Sequence, residues 1–182
     1  FSINAGGDKI AFSKGNLQAQ LLTLVKLDLG FAAHQYDYVG NAVANTAITG
    51  NKTVSTNGTI DLFGWSTAAT YYGINNSNVS GKHPGDFIDW GETIAEGWRT
   101  LTRDEWNYLF ETRTDAASKY GHATVAGIHG IIILPDSYKG TAINADHSNW
   151  FDNTISAEDW AASEANGVAF LPAAGRRLAT SV

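Results

Sequence analysis

The spacing of apolar residues divides the chain into strand-like, loop-like and helix-like segments. Three β-prone runs near the start, "KIAFS", "NLQAQLL" and "LTLVKLDLGF", predict two or three strands, with a turn at residues 14–16. Residues 41–60 and 66–86 are rich in Asn, Thr, Gly and Ser and have little periodicity, which predicts two long loops. The apolar segment "IDLFGW" between these loops predicts a plug that packs into a core.

Two later segments, "LTRDEW" and "ISAEDW", predict helices that begin in the same way. In each segment a hydroxyl residue, Thr102 or Ser156, is followed three positions later by an acid, Glu105 or Asp159, which is the pattern of a capping box. An apolar residue before each cap and a Trp four positions after it are typical of a hydrophobic staple. Each helix start has two neighbouring acids, Asp104 with Glu105 and Glu158 with Asp159. Such pairs also occur in catalytic sites, but helix capping explains both pairs here. Gly167 predicts the left-handed end of the second helix.

A strand pattern follows each helix. "ATVAG" and "IHGIIILPD" predict a hairpin through Gly127, with a second strand that is buried on both faces, and "GVAFLPAAG" predicts a further strand. The fold class is therefore α+β, with antiparallel strands, two capped helices and long loops. The residues predicted to form the core are Trp106, Phe110, Ile132, Leu134, Trp160 and Phe170.

The composition narrows the function classes. The 182 residues suit a single domain, or one domain with a long insertion, and a net charge of −6 argues against nucleic-acid binding. The chain has no Cys, which excludes disulfides, zinc thiolates and thiol catalysis. No run of eighteen apolar residues occurs, so the sequence predicts no membrane span.

Seven segments carry a resemblance to a known family: "FSKGNLQ", "QYDYVG", "IDLFGW", "DWG", "GWRTLTRDEWNYLFETR", "GIIILPDSY" and "FLPAAGRR". In this order they resemble a family of Bacteroidales surface and lipoprotein-like proteins with a C-type-lectin-like fold. That family is similar to the Fibrobacter major paralogous domain and to the sulfatase-modifying-factor fold. The resemblance covers residues 9–177. It implies one C-type-lectin-like domain over residues 1–182, with a twisted antiparallel sheet flanked by two helices and with ligand contacts made by loops.

Two departures limit what the resemblance implies. The formylglycine-generating enzymes of this superfamily use reactive cysteines, so their oxidase activity does not carry over to a chain without Cys. Members of the family also continue past "LPAAGR" into a closing segment that builds part of the ligand surface. We therefore expect the domain in residues 1–182 to lack that segment.

The segment "NADHSNWFDN" supplies the best candidate ligand residues. Aromatic rings cover the C–H faces of sugars while amides and carboxylates bond to hydroxyls, and Asp146, His147, Asn149 and Trp150 combine these groups. The alternative is that Trp150 and Phe151 plug the core.

An earlier loop, "HPGDFIDWG", adds Asp86, Asp89 and Trp90 to the predicted ligand surface, and Arg176 adds a cation near the other end. The two acids are hard oxygen ligands of the type that calcium accepts, so calcium is a possible cofactor although no EF-hand spacing is present. The alternative is that these acids cap turns within the loop.

The five histidines show no zinc-binding spacing. His122 and His129 could face each other across the hairpin, but two ligands do not make a metal site. The family resemblance, together with the absence of a catalytic constellation in the sequence, implies an exported, non-catalytic surface module for adhesion, which binds a glycan or a surface protein. The alternatives are a polysaccharide hydrolase, which needs two carboxylates across a cleft, and a structural subunit of a surface appendage.

Overall fold

The chain has a mixed α+β fold, which confirms the predicted fold class at this level. The computed structural model describes residues 1–23, 26–42, 58–64, 86–140, 143–145 and 147–176. Contacts divide the chain into two compact units. The first is Phe1–Gly15, Ala33–Asp37 and Leu101–Ala173, and the second is Asn16–Ala32, Tyr38–Thr100 and Ala174–Val182. The organisation as a single lectin-like domain stays a prediction.

The second unit contains a three-stranded antiparallel sheet with the strand order β2-β1-β3. Its strands are β1 (Leu17–Thr23), β2 (Lys26–Phe31) and β3 (Gly58–Ile60). Ala19 of β1 lies opposite Ile60 of β3, and both side chains are buried. The buried Ile60, followed by the half-buried Leu62 and Phe63, agrees with the apolar plug predicted for "IDLFGW".

Two strands, β1 and β2, form within the three β-prone runs, which agrees with the predicted two or three. "KIAFS" is not one of them: Lys9 makes an isolated bridge to Ser2, and the Phe12 ring packs 5.8 Å from the Trp106 ring. The prediction that residues 41–60 are loop is wrong at its end, because Gly58–Ile60 forms β3. Most of the two predicted loops, residues 43–57 and 66–85, lies outside the described residues.

The first unit contains a four-stranded sheet with the strand order β6-β4-β5-β7. Its strands are β4 (Tyr120–Val125), β5 (Ile128–Ile133), β6 (Thr154–Ile155) and β7 (Ala169–Pro172). Ala126 and Gly127 join β4 to β5 with φ of 51° and 81°, the left-handed pair of a two-residue hairpin turn. The predicted hairpin is confirmed.

This sheet is mixed rather than wholly antiparallel as expected, because β6 runs parallel to β4. The chain before β6 follows β4 in the same direction: His147 contacts Tyr120, and Trp150 contacts Thr124 further along. β6 continues this course, which gives the parallel pair.

Each face of the four-stranded sheet is covered by a separate apolar cluster. Ile132 and Phe170 pack with Trp160 on one face, whereas Ile133 packs with Leu109 on the other. Neighbouring residues of β5 thus point to opposite faces, and Ile132 and Ile133 are both 0% exposed. The prediction that this strand is buried on both faces is confirmed for its last residues, Ile132 and Ile133, but not for His129 near its start, which is exposed.

The predicted core is mostly confirmed. Ile132, Leu134, Trp160 and Phe170 are buried. Trp106 and Phe110 are half-buried, because they stack on each other at 5.7 Å along the border of their cluster rather than inside it.

Helix α1 (Arg103–Asn107) begins with the predicted capping box. The Thr102 hydroxyl accepts a hydrogen bond from the Glu105 N–H at 3.3 Å, and the Glu105 carboxylate accepts one from the Thr102 N–H at 2.7 Å. The helix then widens into a π-helical segment over Tyr108–Thr112, in which the Arg113 N–H donates to the Tyr108 carbonyl at 2.9 Å.

Arg113 ends this segment as a buried cation. Its guanidinium donates to the carbonyl oxygens of Leu109 (2.7 Å), Leu134 (3.0 Å) and Lys119 (3.1 Å), and to the Asp136 carboxylate at 3.3 Å. Burial lowers the pKa of Arg113, and Asp136 opposes that shift. Arg113 therefore ties the helix end to the segment before β4 and to the segment after β5.

Helix α2 (Ala157–Ala165) begins at Ser156, whose hydroxyl accepts from the Asp159 N–H at 3.1 Å and donates to the Asp159 carboxylate at 2.7 Å. Ser156 is therefore the cap as predicted, but the second half of the predicted capping box differs: the Asp159 carboxylate accepts from the Ser156 hydroxyl rather than from its backbone N–H. Gly167 has a φ of 78°, and the N–H of Val168 donates to Ser163 O at 3.1 Å. This is the left-handed helix end predicted at Gly167.

Within the described parts of the chain, no helix has both the length and the apolar character that crossing a membrane requires.

Candidate functional site

The segment predicted to bind ligand lies against one face of the β4–β5 hairpin. Its polar and aromatic side chains meet those of β4 and β5 in a cluster that we call the loop surface, defined by His122, Thr124, His129, His147, Asn149, Trp150, Phe151 and Asp152. Asp146, which was predicted to belong to the site, lies outside the described residues.

A buried amide fixes the two ends of this loop. The Asn153 side chain donates to the carbonyl oxygens of His122 (2.8 Å) and Asn144 (2.5 Å), and its Oδ1 accepts from the Asn144 N–H at 2.6 Å. The Thr124 N–H donates to the Asn153 carbonyl at 2.7 Å. The loop is therefore attached to β4 by directed hydrogen bonds and does not depend on apolar packing alone.

Trp150 is half-buried and stacks on His122, with ring centroids 4.0 Å apart and an interplanar angle of 17°. The Nδ1 atom of His122 is buried and makes no hydrogen bond with the described residues, so this imidazole acts as a packing surface. His129 lies 5.6 Å from the Trp150 ring at a tilt of 41°. The Trp150 ring thus packs against the hairpin and holds the loop in place.

Phe151 is the more exposed of the two neighbouring apolar rings, Trp150 and Phe151. It is 69% exposed and stands nearly perpendicular to the His129 ring, with centroids 5.5 Å apart and an angle of 86°. The alternative in which Trp150 and Phe151 plug the core is therefore wrong for Phe151, and it describes Trp150 only in part.

The predicted residues His147 and Asn149 are both exposed and both hold the loop in shape. His147 stacks on Tyr120 at 4.1 Å, and its Nε2 lies 2.8 Å from the Tyr120 carbonyl oxygen. The Asn149 side chain donates to Asp152 at 2.7 Å and accepts from the Phe151 N–H at 3.0 Å. These contacts fix where Phe151 and the polar groups beside it project.

The predicted residues of the earlier loop belong to the second unit. The Asp89 carboxylate accepts from the N–H groups of Gly91 (2.9 Å) and Thr100 (2.9 Å) and so closes the loop between them. Trp90 is half-buried and donates through Nε1 to the Gly64 carbonyl at 2.6 Å. The alternative in which the acids cap turns is confirmed for Asp89.

Asp86 and Arg176 are exposed and also belong to the second unit. The structure brings His147, Asn149 and Trp150 together within the first unit. A composite ligand surface that combines both loops stays a prediction, because its residues are divided between the two units.

Calcium binding also stays a prediction. Among the residues that the structure describes, no three His, Asp or Glu side chains come together as a metal site would require. The Asp89 oxygens are already engaged by backbone and hydroxyl donors.

His122 and His129 are diagonal neighbours on one face of the hairpin rather than a directly opposed pair, because His122 lies opposite Ile131 and His129 lies opposite Thr124. The two-residue turn at Ala126 and Gly127 fixes these pairs, so the sequence contained enough information to predict this register. The position of the loop beside His129 and the exposure of Phe151 depend on contacts between residues distant in sequence, and no local pattern showed either.

Comparison of the chain with protein-family models, with curated proteins and with solved structures gave no match.

Proposed function

We propose that the chain is a non-catalytic binding module that recognises a glycan through the loop surface. The observation that carries this proposal is the exposed Phe151 ring beside the side chains of Asn149, Asp152 and His129. An aromatic ring that contacts C–H groups, with amide, carboxylate and imidazole groups around it, suits a hydroxylated sugar ring.

The hydrogen bonds and ring stacks within the loop surface support the same proposal. The hydrogen bonds of Asn153 and Asn149 and the ring stacks of His147 and Trp150 hold the contact groups in place before a ligand arrives. A site that is ordered in advance loses less side-chain entropy on binding, which helps weak sugar contacts to add up to useful affinity.

Export and display at the cell surface are part of the proposal, as is membership of the C-type-lectin-like family. Both rest on the motif series from "FSKGNLQ" to "FLPAAGRR", in which the segment "GIIILPDSY" leads into the loop surface. A lectin-like fold uses loops for ligand contact, and the loop surface is such a loop held by a sheet.

A glycan array probed with the wild-type protein tests the proposal, with Phe151→Ala as the site variant and Tyr38→Ala as the matched control. Tyr38 is 41% exposed and belongs to neither of the predicted ligand loops, so its replacement removes an exposed ring that the proposal does not use. We expect Phe151→Ala to weaken glycan binding by about fivefold or more, the effect of losing a contact worth over about 1 kcal/mol, and Tyr38→Ala to leave it unchanged.

Two results would contradict the proposal. One is an array without any glycan signal, and the other is equal binding by the two variants. Release of new reducing ends from a bound polysaccharide would favour the alternative of a hydrolase.

A further inference from the structure

The hydrogen bonds around Thr124 determine which nitrogen of His129 carries a proton. The Thr124 Oγ1 lies 3.0 Å from the Trp150 carbonyl oxygen and 3.0 Å from the His129 Nδ1. A carbonyl oxygen can only accept, so the single hydroxyl proton of Thr124 is donated to Trp150. Toward His129 the same hydroxyl oxygen can then only accept, and Nδ1 of His129 must be the donor.

Neutral His129 is therefore the Nδ1–H tautomer, with a lone pair on Nε2. The side chain of His129 is exposed. The ring is held on one side by Thr124 and flanked by Trp150 at 5.6 Å and Phe151 at 5.5 Å. The Nε2 acceptor thus has a fixed direction on a ring that lies beside the exposed Phe151 ring.

We propose that His129 contacts the ligand directly and accepts, through Nε2, a hydrogen bond from a hydroxyl of a carbohydrate ring that lies against Phe151. This inference rests on the proposed function and adds the polarity of one contact: the group that meets His129 must be a hydrogen-bond donor. A sugar ring has both an apolar C–H face for Phe151 and hydroxyls at its edge for His129. Thr124 acts as a positioning residue: its hydroxyl fixes the tautomer of His129 and does not contact the ligand.

His147 provides an internal control for the assignment. Its Nε2 lies 2.8 Å from the Tyr120 carbonyl oxygen, which can only accept, so His147 must be the Nε2–H tautomer when neutral. The two exposed histidines of the loop surface are thus expected to have opposite tautomers.

The first test needs no ligand. Nitrogen-15 NMR of the imidazoles, recorded at about pH 8.5 where histidine is ordinarily neutral, should show a protonated Nδ1 in His129 and a protonated Nε2 in His147. In Thr124→Val the preference of His129 should disappear, and in Thr124→Ser it should return. A His129 with its proton on Nε2 in the wild-type protein would overturn the inference.

The second test measures binding by NMR titration with a panel of methyl glycosides of mannose, galactose, glucose and N-acetylglucosamine. His129→Phe keeps the ring and removes the acceptor, so affinity for a bound glycoside should fall by about tenfold, as expected for an unpaired polar group. His129→Gln places an amide oxygen within reach of the same hydroxyl and should recover part of that loss. The amide spectra of both variants should match the wild type except around Thr124, Trp150 and Phe151, which contact His129, and this match shows that the fold is retained.

The outcomes separate this inference from the proposed function. Glycoside binding that His129→Phe leaves unchanged would overturn the role of His129 while the glycan-binding function stands. An absence of binding to every glycoside and to the glycan array would overturn the proposed function, and the inference would fall with it.

Discussion

Replacing Arg113 by Ala should destabilise the first unit strongly, because this buried guanidinium joins three separate pieces of backbone. Its side chain is 1% exposed and donates to the carbonyls of Leu109, Leu134 and Lys119. Removing one member of a buried charged network typically costs about 3–5 kcal/mol. Asp136 is 29% exposed and can regain water, so we expect a loss near the lower end, about 3 kcal/mol.

Urea unfolding followed by circular dichroism measures this loss. With a denaturant slope of about 2 kcal/mol per molar, the midpoint should fall by about 1.5 M. Arg103→Ala is the matched control, since Arg103 is exposed on the adjacent helix, and its effect should stay within about 0.5 kcal/mol. Arg113→Lys should lower the free energy of unfolding by more than half of the loss in Arg113→Ala, because one ammonium cannot reach acceptors that lie on both sides of the guanidinium.

A midpoint for Arg113→Ala within the range of Arg103→Ala would refute this reasoning. It would mean that water replaces the guanidinium at all of its acceptors without loss, and that Arg113 does not join the helix end to the hairpin.

Three further predictions concern the caps, the acid stability and the loop surface. Thr102→Ala and Ser156→Ala should each lower the free energy of unfolding by roughly 0.5–2 kcal/mol in thermal melts, with glycan binding unchanged; lost binding at an unchanged melting temperature would contradict their role as scaffold. Desolvation works to raise the pKa of Asp136, but hydrogen bonds from Ser2 and the charges of the terminal ammonium and Arg113 hold it below the usual 3.8. The stabilising effect of Asp136 is therefore complete above pH 3.8 and is lost as the pH falls through the lower pKa of the folded state. The difference in unfolding free energy between the wild type and Asp136→Asn should therefore shrink when urea unfolding is measured at progressively lower pH. A difference that stays constant would contradict the lowered pKa. Trp150→Ala should weaken glycan binding and also lower the melting temperature, because the ring seats the loop on His122; unchanged affinity would exclude Trp150 and the loop position that it sets.

The features that could be predicted from sequence are those decided by neighbours along the chain. The cap at Thr102 needs only Glu105 three residues later, and the end of α2 needs only a glycine at position 167. The hairpin likewise follows from its turn at Ala126 and Gly127. Such signals involve few residues and do not depend on the rest of the fold.

Other features depend on residues that are distant in sequence. Arg113 follows the helical spacing of an apolar face, but its burial depends on carbonyls supplied by residues up to 21 positions away. The parallel direction of β6 arises because the preceding loop runs alongside β4. No local periodicity in the sequence predicts that course.

The candidate site shows the same division. The aromatic and polar composition of "NADHSNWFDN" was enough to indicate the loop, and His147, Asn149 and Trp150 do meet there. Which of its rings faces solvent depends on the stack between Trp150 and His122, so the sequence could not single out Phe151.

The central claim is that the ligand is held by the loop surface, and mapping a bound glycan onto the protein by amide chemical-shift changes tests it most directly. With a glycan selected from the array, we predict that the largest changes fall on Asn149, Phe151 and His129. Changes confined to residues 86–100 and 176 of the second unit, with the loop surface unaffected, would contradict the claim.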